Sequence, residues 1–177
     1  MLYLAFALCI GESHFMKRPS KFEYQELLRS AQWGIHMSLS KEICSHFAED
    51  DIRTIIHRTC YRLSKRLLNR RFANFQLHDR FHAIGFFHGR ETHERQPHVL
   101  FHVPWSVRSS RSRIWKLKAR EILNRPWLSC SPPAPVYACI KFIESEAYTR
   151  NAATYVSRFA GEKTWGDDIS PDIFFSR

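Results

Sequence analysis

The sequence predicts an α+β domain, an antiparallel sheet of about four to five strands with helices on one face, in the order β-α-β-β-α-β followed by a C-terminal helix. Three observations predict it. Residues 33–40 (WGIHMSLS), 82–88 (HAIGFFH) and 96–103 (QPHVLFHV) place one set of side chains on odd positions and another on even positions, the period of a strand. Between and after these runs, over 49–71 and 114–124, apolar residues recur at spacings of three and four, the period of a helix. The polar stretch 89–95 joins the second and third runs as a hairpin loop would.

The chain opens with MLYLAFALCIGES, an apolar run of only about ten residues with no Lys or Arg before it, too short to span a bilayer and without a charged leader region. Residues 1–30 are therefore expected to be an N-terminal extension, with a short helix over 17–30 leading into the domain. In the first strand Ile35, Met37 and Leu39 alternate with His36, Ser38 and Ser40, one side buried and one polar. The first long helix, Glu49 to Arg71, has an apolar stripe of Ile52, Ile55, Ile56, Thr59, Leu63 and Leu67. Its acidic start at Glu49, Asp50 and Asp51 and its basic end suit the helix dipole. After the hairpin, Ser106 to Arg113 reads as a basic loop and Ile114 to Asn124 as a helix stopped before Pro126. SCSPPAP, from Ser129 to Pro135, is a rigid connector. Val136 to Ile143 is β-rich, and Glu146 to Gly161 reads as a helix ended by glycine. The tail from Glu162 has no clear pattern, so the domain is expected over 31–162 with a tail at 163–177.

A chain of 177 residues suits one domain with a real core. A net charge of +10 attracts polyanions, and an aromatic content of 14% supplies rings that can stack on bases, so nucleic acid is the partner class that composition favours. A merely soluble basic protein or a membrane-surface binder shares this composition. The five cysteines, Cys9, Cys44, Cys60, Cys130 and Cys139, are odd in number, scattered, and form no CxxC pair, the pattern of reduced thiols in a cytoplasmic protein.

If the hairpin pairs antiparallel, the even positions face one side and His88, Gln96 and His98 converge near the turn, a credible divalent-cation site. Ten histidines in a basic chain also place some on a strand face by chance. A structural zinc site is not expected, because no cysteine lies near these histidines. On the last helix Tyr155 and Arg158 are one turn apart, so phenol and guanidinium project from the same side. Tyr148, two turns before Tyr155, is the lesser candidate for a nucleophile, and either tyrosine could instead pack the helix against the sheet.

QPHVLFHVP (96–104), followed by a late helix carrying Tyr155-Val156-Ser157-Arg158, resembles the motifs of the HUH endonucleases, the rolling-circle replication initiators and relaxases. WGIHMSLS stands where that family's first strand lies, and LLNRRFANF where a basic helix end precedes its hairpin. The resemblance covers roughly 33–161. It departs from the family pattern where Gln96 replaces the first histidine of the pair and Arg158 replaces a lysine.

The resemblance implies an RRM-like or HUH-like fold with single-stranded DNA across an open sheet face. It also implies a Mg²⁺ or Mn²⁺ held by His98 and Gln96 with His88 or His102. Tyr155 would be the nucleophile that forms a 5′-phosphotyrosine, and Arg158 would stabilise charge. Trp33, His36, Arg70, Arg71, Arg108, Arg111 and Arg113 would contact the nucleic acid. The expected activity is DNA nicking and joining in replication or mobilisation of a plasmid, phage or integrated element. The alternative is a non-catalytic single-strand binder on the same fold, using Trp33, Phe86 and the basic loop.

Overall fold

In the computed structural model the described residues are 26, 28–29, 31, 33–68, 75–76, 79–88, 96–110, 113–128, 138–156 and 173–176, with only the backbone described at 41, 42, 88, 96, 156 and 173–176. Along the chain run β1 (Trp33–Ser38), a single turn α1 (Lys41–Cys44), α2 (Glu49–Leu67), β2 (His82–His88) and β3 (Gln96–His102). A second single turn follows, α3 (Trp105–Arg108), and then α4 (Ile114–Asn124), β4 (Cys139–Phe142), α5 (Glu146–Val156) and β5 (Ile173–Ser176). The sheet has five strands in the order β4-β1-β3-β2-β5, and every neighbouring pair is antiparallel. The fold is α+β, as the alternation and the helical spacings predict.

Period two decides which side chains meet which helices. From β1, β2 and β3 the odd positions Ile35, Met37, Ala83, Phe87, Val99 and Phe101 form the main core with the buried faces of α2 and α4. On α2 that face is Ile52, Ile56, Thr59, Cys60 and Leu63, with Ile55 and Leu67 partly buried against it. Asp51 accepts a hydrogen bond from the Ala48 N–H at the helix start (3.2 Å), and the buried Ser64 hydroxyl accepts one from the Phe81 N–H (3.2 Å), tying α2 to the head of β2. α4 has its predicted bounds. Beyond it the chain tightens into a 3-10 turn at Arg125–Trp127 that buries Trp127 completely against Phe47.

The even face is not open. α5 lies on it and buries Ala152 and Ala153 with Leu28, Trp33, Ile84, Phe86, Leu100 and Ile143 in a second cluster. The expectation of helices on one face therefore describes α2 and α4 alone. Small residues at 152 and 153 let the helix sit close to the sheet, and Thr149, one turn earlier, is buried on the same stripe. Leu28 is fully buried in this cluster and Arg29 donates to the Thr154 hydroxyl (3.0 Å), so part of the expected 1–30 extension packs onto the domain. The expected patternless tail contributes β5, whose backbone pairs with Ala83–Phe86 of β2.

Gly34 marks an irregularity in the central ladder. Trp33 pairs with His102 and Ile35 with Phe101, so one extra residue sits on β1 and the alternation is reset there. Trp33 thereby joins the even-face cluster. A Cβ at Gly34 would stand 2.4 Å from Val103 Cγ2 and 2.6 Å from its Cβ, inside a fully packed site. Among the described residues no helix is long and apolar enough to cross a membrane.

Two stability and reactivity outcomes follow. Gly34→Ala should lower stability by about 1–3 kcal/mol through overpacking against Val103, read as a drop in thermal midpoint with unchanged far-UV circular dichroism. Burial raises the Cys60 thiol far above its ordinary range while Cys139 is exposed. An alkylating reagent should modify Cys139 in the native protein and reach Cys60 only on unfolding, a contrast that peptide mass spectrometry measures.

Candidate functional site

The site follows from the β1–β3 register. Ser38 pairs with His98 and His36 with Leu100, so His36 and His98 are diagonal neighbours on one face, within reach of long aromatic side chains. His36 Nε2 lies 3.3 Å from His98 Nδ1, and the two rings are 5.6 Å apart at 30°. On its other side His98 stands directly opposite Phe86 of β2. His98 is only 5% exposed and His36 is half-buried. As a hydrogen bond, this contact requires one ring to donate its N–H and the other to accept.

α5 brings the third member. The Tyr155 ring meets His98 edge-on at 5.0 Å between centroids and lies 6.3 Å from His36. At 39% exposed it is the accessible part of this group. Tyr148, the lesser candidate, packs against the even-face cluster. A phenol, two imidazoles and an opening to solvent thus meet where the end of α5 crosses β1 and β3.

The other predicted residues fall differently. His102 is four residues from His98, roughly 13 Å along an extended strand, and its ring stacks on His82 at 4.5 Å. It belongs to a buried histidine pair with Trp33 edge-on to His82, not to a cation site with His98. His88 and Gln96 are direct partners in the β2–β3 ladder, next to the Phe87 and Pro97 pair, and their side chains lie outside the described residues. Trp33 is 2% exposed and donates its indole N–H to the Leu28 carbonyl (2.7 Å), so it cannot stack on a base. The bulge at Gly34 sets it on the even face, where Leu28 and α5 cover it. Phe86 is equally buried. Arg108 donates to the Ile143 carbonyl (3.3 Å) and lines a small pocket beside Gly34 with Arg113, Lys116 and Glu144. Arg70, Arg71, Arg111 and Arg158 lie outside the described residues.

Sequence reasoning assigned His36 to nucleic-acid contact and left Trp105 out. Trp105, at 71% exposure, is the accessible indole that Trp33 is not. Its signal was Pro104: a proline two residues after β3 cannot continue the strand and stands at the N-cap of a new turn that begins with Trp105. Comparison with protein-family models, with curated proteins and with solved structures finds no match to this chain.

The two imidazoles fit a cation by their spacing. Two nitrogens each about 2.1 Å from one ion lie about 3.0–3.4 Å apart for angles between octahedral and tetrahedral, and the observed separation is 3.3 Å. Among the described residues no third His, Cys, Asp or Glu joins them. Holding an ion would leave the facing nitrogens unprotonated, with the ring protons on His36 Nδ1 and His98 Nε2. Calorimetric titration with Mn²⁺ should therefore show His36→Ala and His98→Ala each weakening binding at least about tenfold, with His102→Ala unchanged. Equal loss in His102→Ala would place the ion elsewhere.

Proposed function

We propose that this protein is a metal-dependent nicking and joining enzyme for single-stranded DNA, acting through a phosphotyrosine in the replication or mobilisation of a plasmid, phage or integrated element. One observation carries the proposal: Tyr155 packs edge-on against His98, whose ring nitrogen lies 3.3 Å from that of His36. A tyrosine nucleophile beside two imidazoles spaced to hold a cation, at the accessible end of a helix, is an arrangement that suits metal-assisted phosphoryl transfer to tyrosine. The basic charge of the chain supports a polyanionic substrate.

The Tyr155 oxygen attacks the phosphorus in line. The new P–O bond forms as the bond to the 3′-oxygen breaks, the phenol gives up its proton, and the departing 3′-oxygen takes one up. The product is a 5′-phosphotyrosine and a free 3′-hydroxyl, and attack by a 3′-hydroxyl reverses the step and joins the strand. A Mg²⁺ or Mn²⁺ held by His36 and His98 would polarise the scissile phosphate. His88 and Gln96 are proposed as further ligands by their register alone, and Arg158, one turn past Tyr155, as the cation that offsets charge on the phosphate.

Because α5 covers the middle of the even face, the strand would approach Tyr155 from the exposed end of the helix rather than lie across the sheet. The alternative of a passive single-strand binder uses Trp33, Phe86 and the basic loop, and of these the two stacking rings are buried. A cytoplasmic setting belongs to the same proposal, supported by the thiols of Cys60 and Cys139.

Incubation with Mn²⁺ and a randomised single-stranded pool labelled at the 3′ end should give a labelled band that survives denaturing electrophoresis. The band should vanish in Tyr155→Phe and on chelation. A band that persists in Tyr155→Phe would remove Tyr155 from the reaction, and absence of any band with the wild-type protein would count against nicking.

A further inference from the structure

On the far side of the sheet from Tyr155, the outer faces of α2 and α4 form a groove that the proposed chemistry does not use. Arg58, Arg62, Lys65 and Arg66 line it from α2, Lys118 from the middle of α4 and Arg125 from just beyond its end; all six are exposed. Glu121 is the one carboxylate in the lining. Among the described residues none of these six cations is ion-paired to a carboxylate. Six like charges left facing solvent around one groove repel one another, and a polyanion relieves that repulsion.

We infer that this groove binds the phosphate backbone of double-stranded nucleic acid. The four α2 cations fall at i, i+4, i+7 and i+8, a single stripe. It is about 12 Å long at about 1.5 Å rise per residue, and a duplex presents one phosphate per about 1.7 Å of axis, so the stripe meets a dense and regular row of charge. Single-strand binders need rings on which bases stack. The groove has two rings, His57 and Tyr61, against six cations, and the Lys65 ammonium already lies 6.0 Å from the Tyr61 centroid. A membrane-surface helix keeps its apolar stripe free for lipid, whereas the stripe of α2, Ile52, Ile56 and Leu63, is buried in the main core. Helical cations with no built socket read backbone rather than bases, so the binding is independent of sequence.

The test is fluorescence anisotropy with labelled DNA and RNA duplexes of mixed sequence, run across a salt series without divalent metal. A variant carrying R58Q, R62Q, K65Q and R66Q should bind duplex at least about tenfold more weakly, and the slope of log affinity against log salt should flatten by about 2 to 4. A second variant, K118Q with R125Q, samples the groove from the other helix and should weaken binding in the same direction. Thermal melts establish that each variant is folded. Unchanged affinity and slope in both folded variants overturns the inference, as does binding to phosphatidylserine vesicles with none to either duplex. The DNA and RNA arms distinguish the two sources of the same backbone charge. Because the readout needs neither metal nor Tyr155, loss of the covalent adduct and loss of duplex affinity are separable results.

Discussion

Because β1 lies antiparallel to β3 with Ser38 opposite His98, the even positions of both strands share a face, and His36 falls diagonally across from His98. Everything proposed about chemistry rests on that register. A slip of one residue would exchange the faces, sending His98 among Ile35, Met37 and the α2 side chains while Val99 and Phe101 turned towards α5. The main core prevents the slip, since the odd positions are fully buried apolar groups and an imidazole there would lose its polar partner. The site is thus aligned by the packing on the opposite side of the sheet.

Two histidine pairs occupy this face, and their surroundings separate them. His82 and His102 stack under Trp33, with His82 Nδ1 3.3 Å from the Arg80 carbonyl, in a part of the sheet with little access to solvent. His36 and His98 lie under the end of α5, where the covering residue is a partly exposed tyrosine. The same side chain serves as packing in one place and as a potential ligand a few residues away. What distinguishes them is the element above, and no local pattern in the strand encodes it.

The strands, α2 and α4 were legible because each carries a clean period, and Pro126 marked the end of α4 to the residue. The site was legible in its members His98 and Tyr155. The contact of His36 with His98 was not legible because a single sequence does not say which strand neighbours which, and the β1–β3 pairing is what joins residues 62 apart. Trp33 was misassigned because the bulge at Gly34 sets it on the even face, which α5 and Leu28 cover. The cover on the even face was missed because Ala152 and Ala153 are weak apolar signals, although small side chains are what permit close approach. IFFS near the end of the chain was a short β-rich run standing after Pro171, but four residues give period two little room to show itself.

β5 also bears on how the sheet guards its own edge. Its four residues pair with the edge of β2 along Ala83–Phe86, a segment flanked by some of the most apolar side chains in the domain. Among the described residues no other strand lies beside that edge of β2, so β5 alone covers it. A chain lacking residues 173–176 would present an unpaired, apolar strand edge, the kind of template on which neighbouring chains add strands and aggregate.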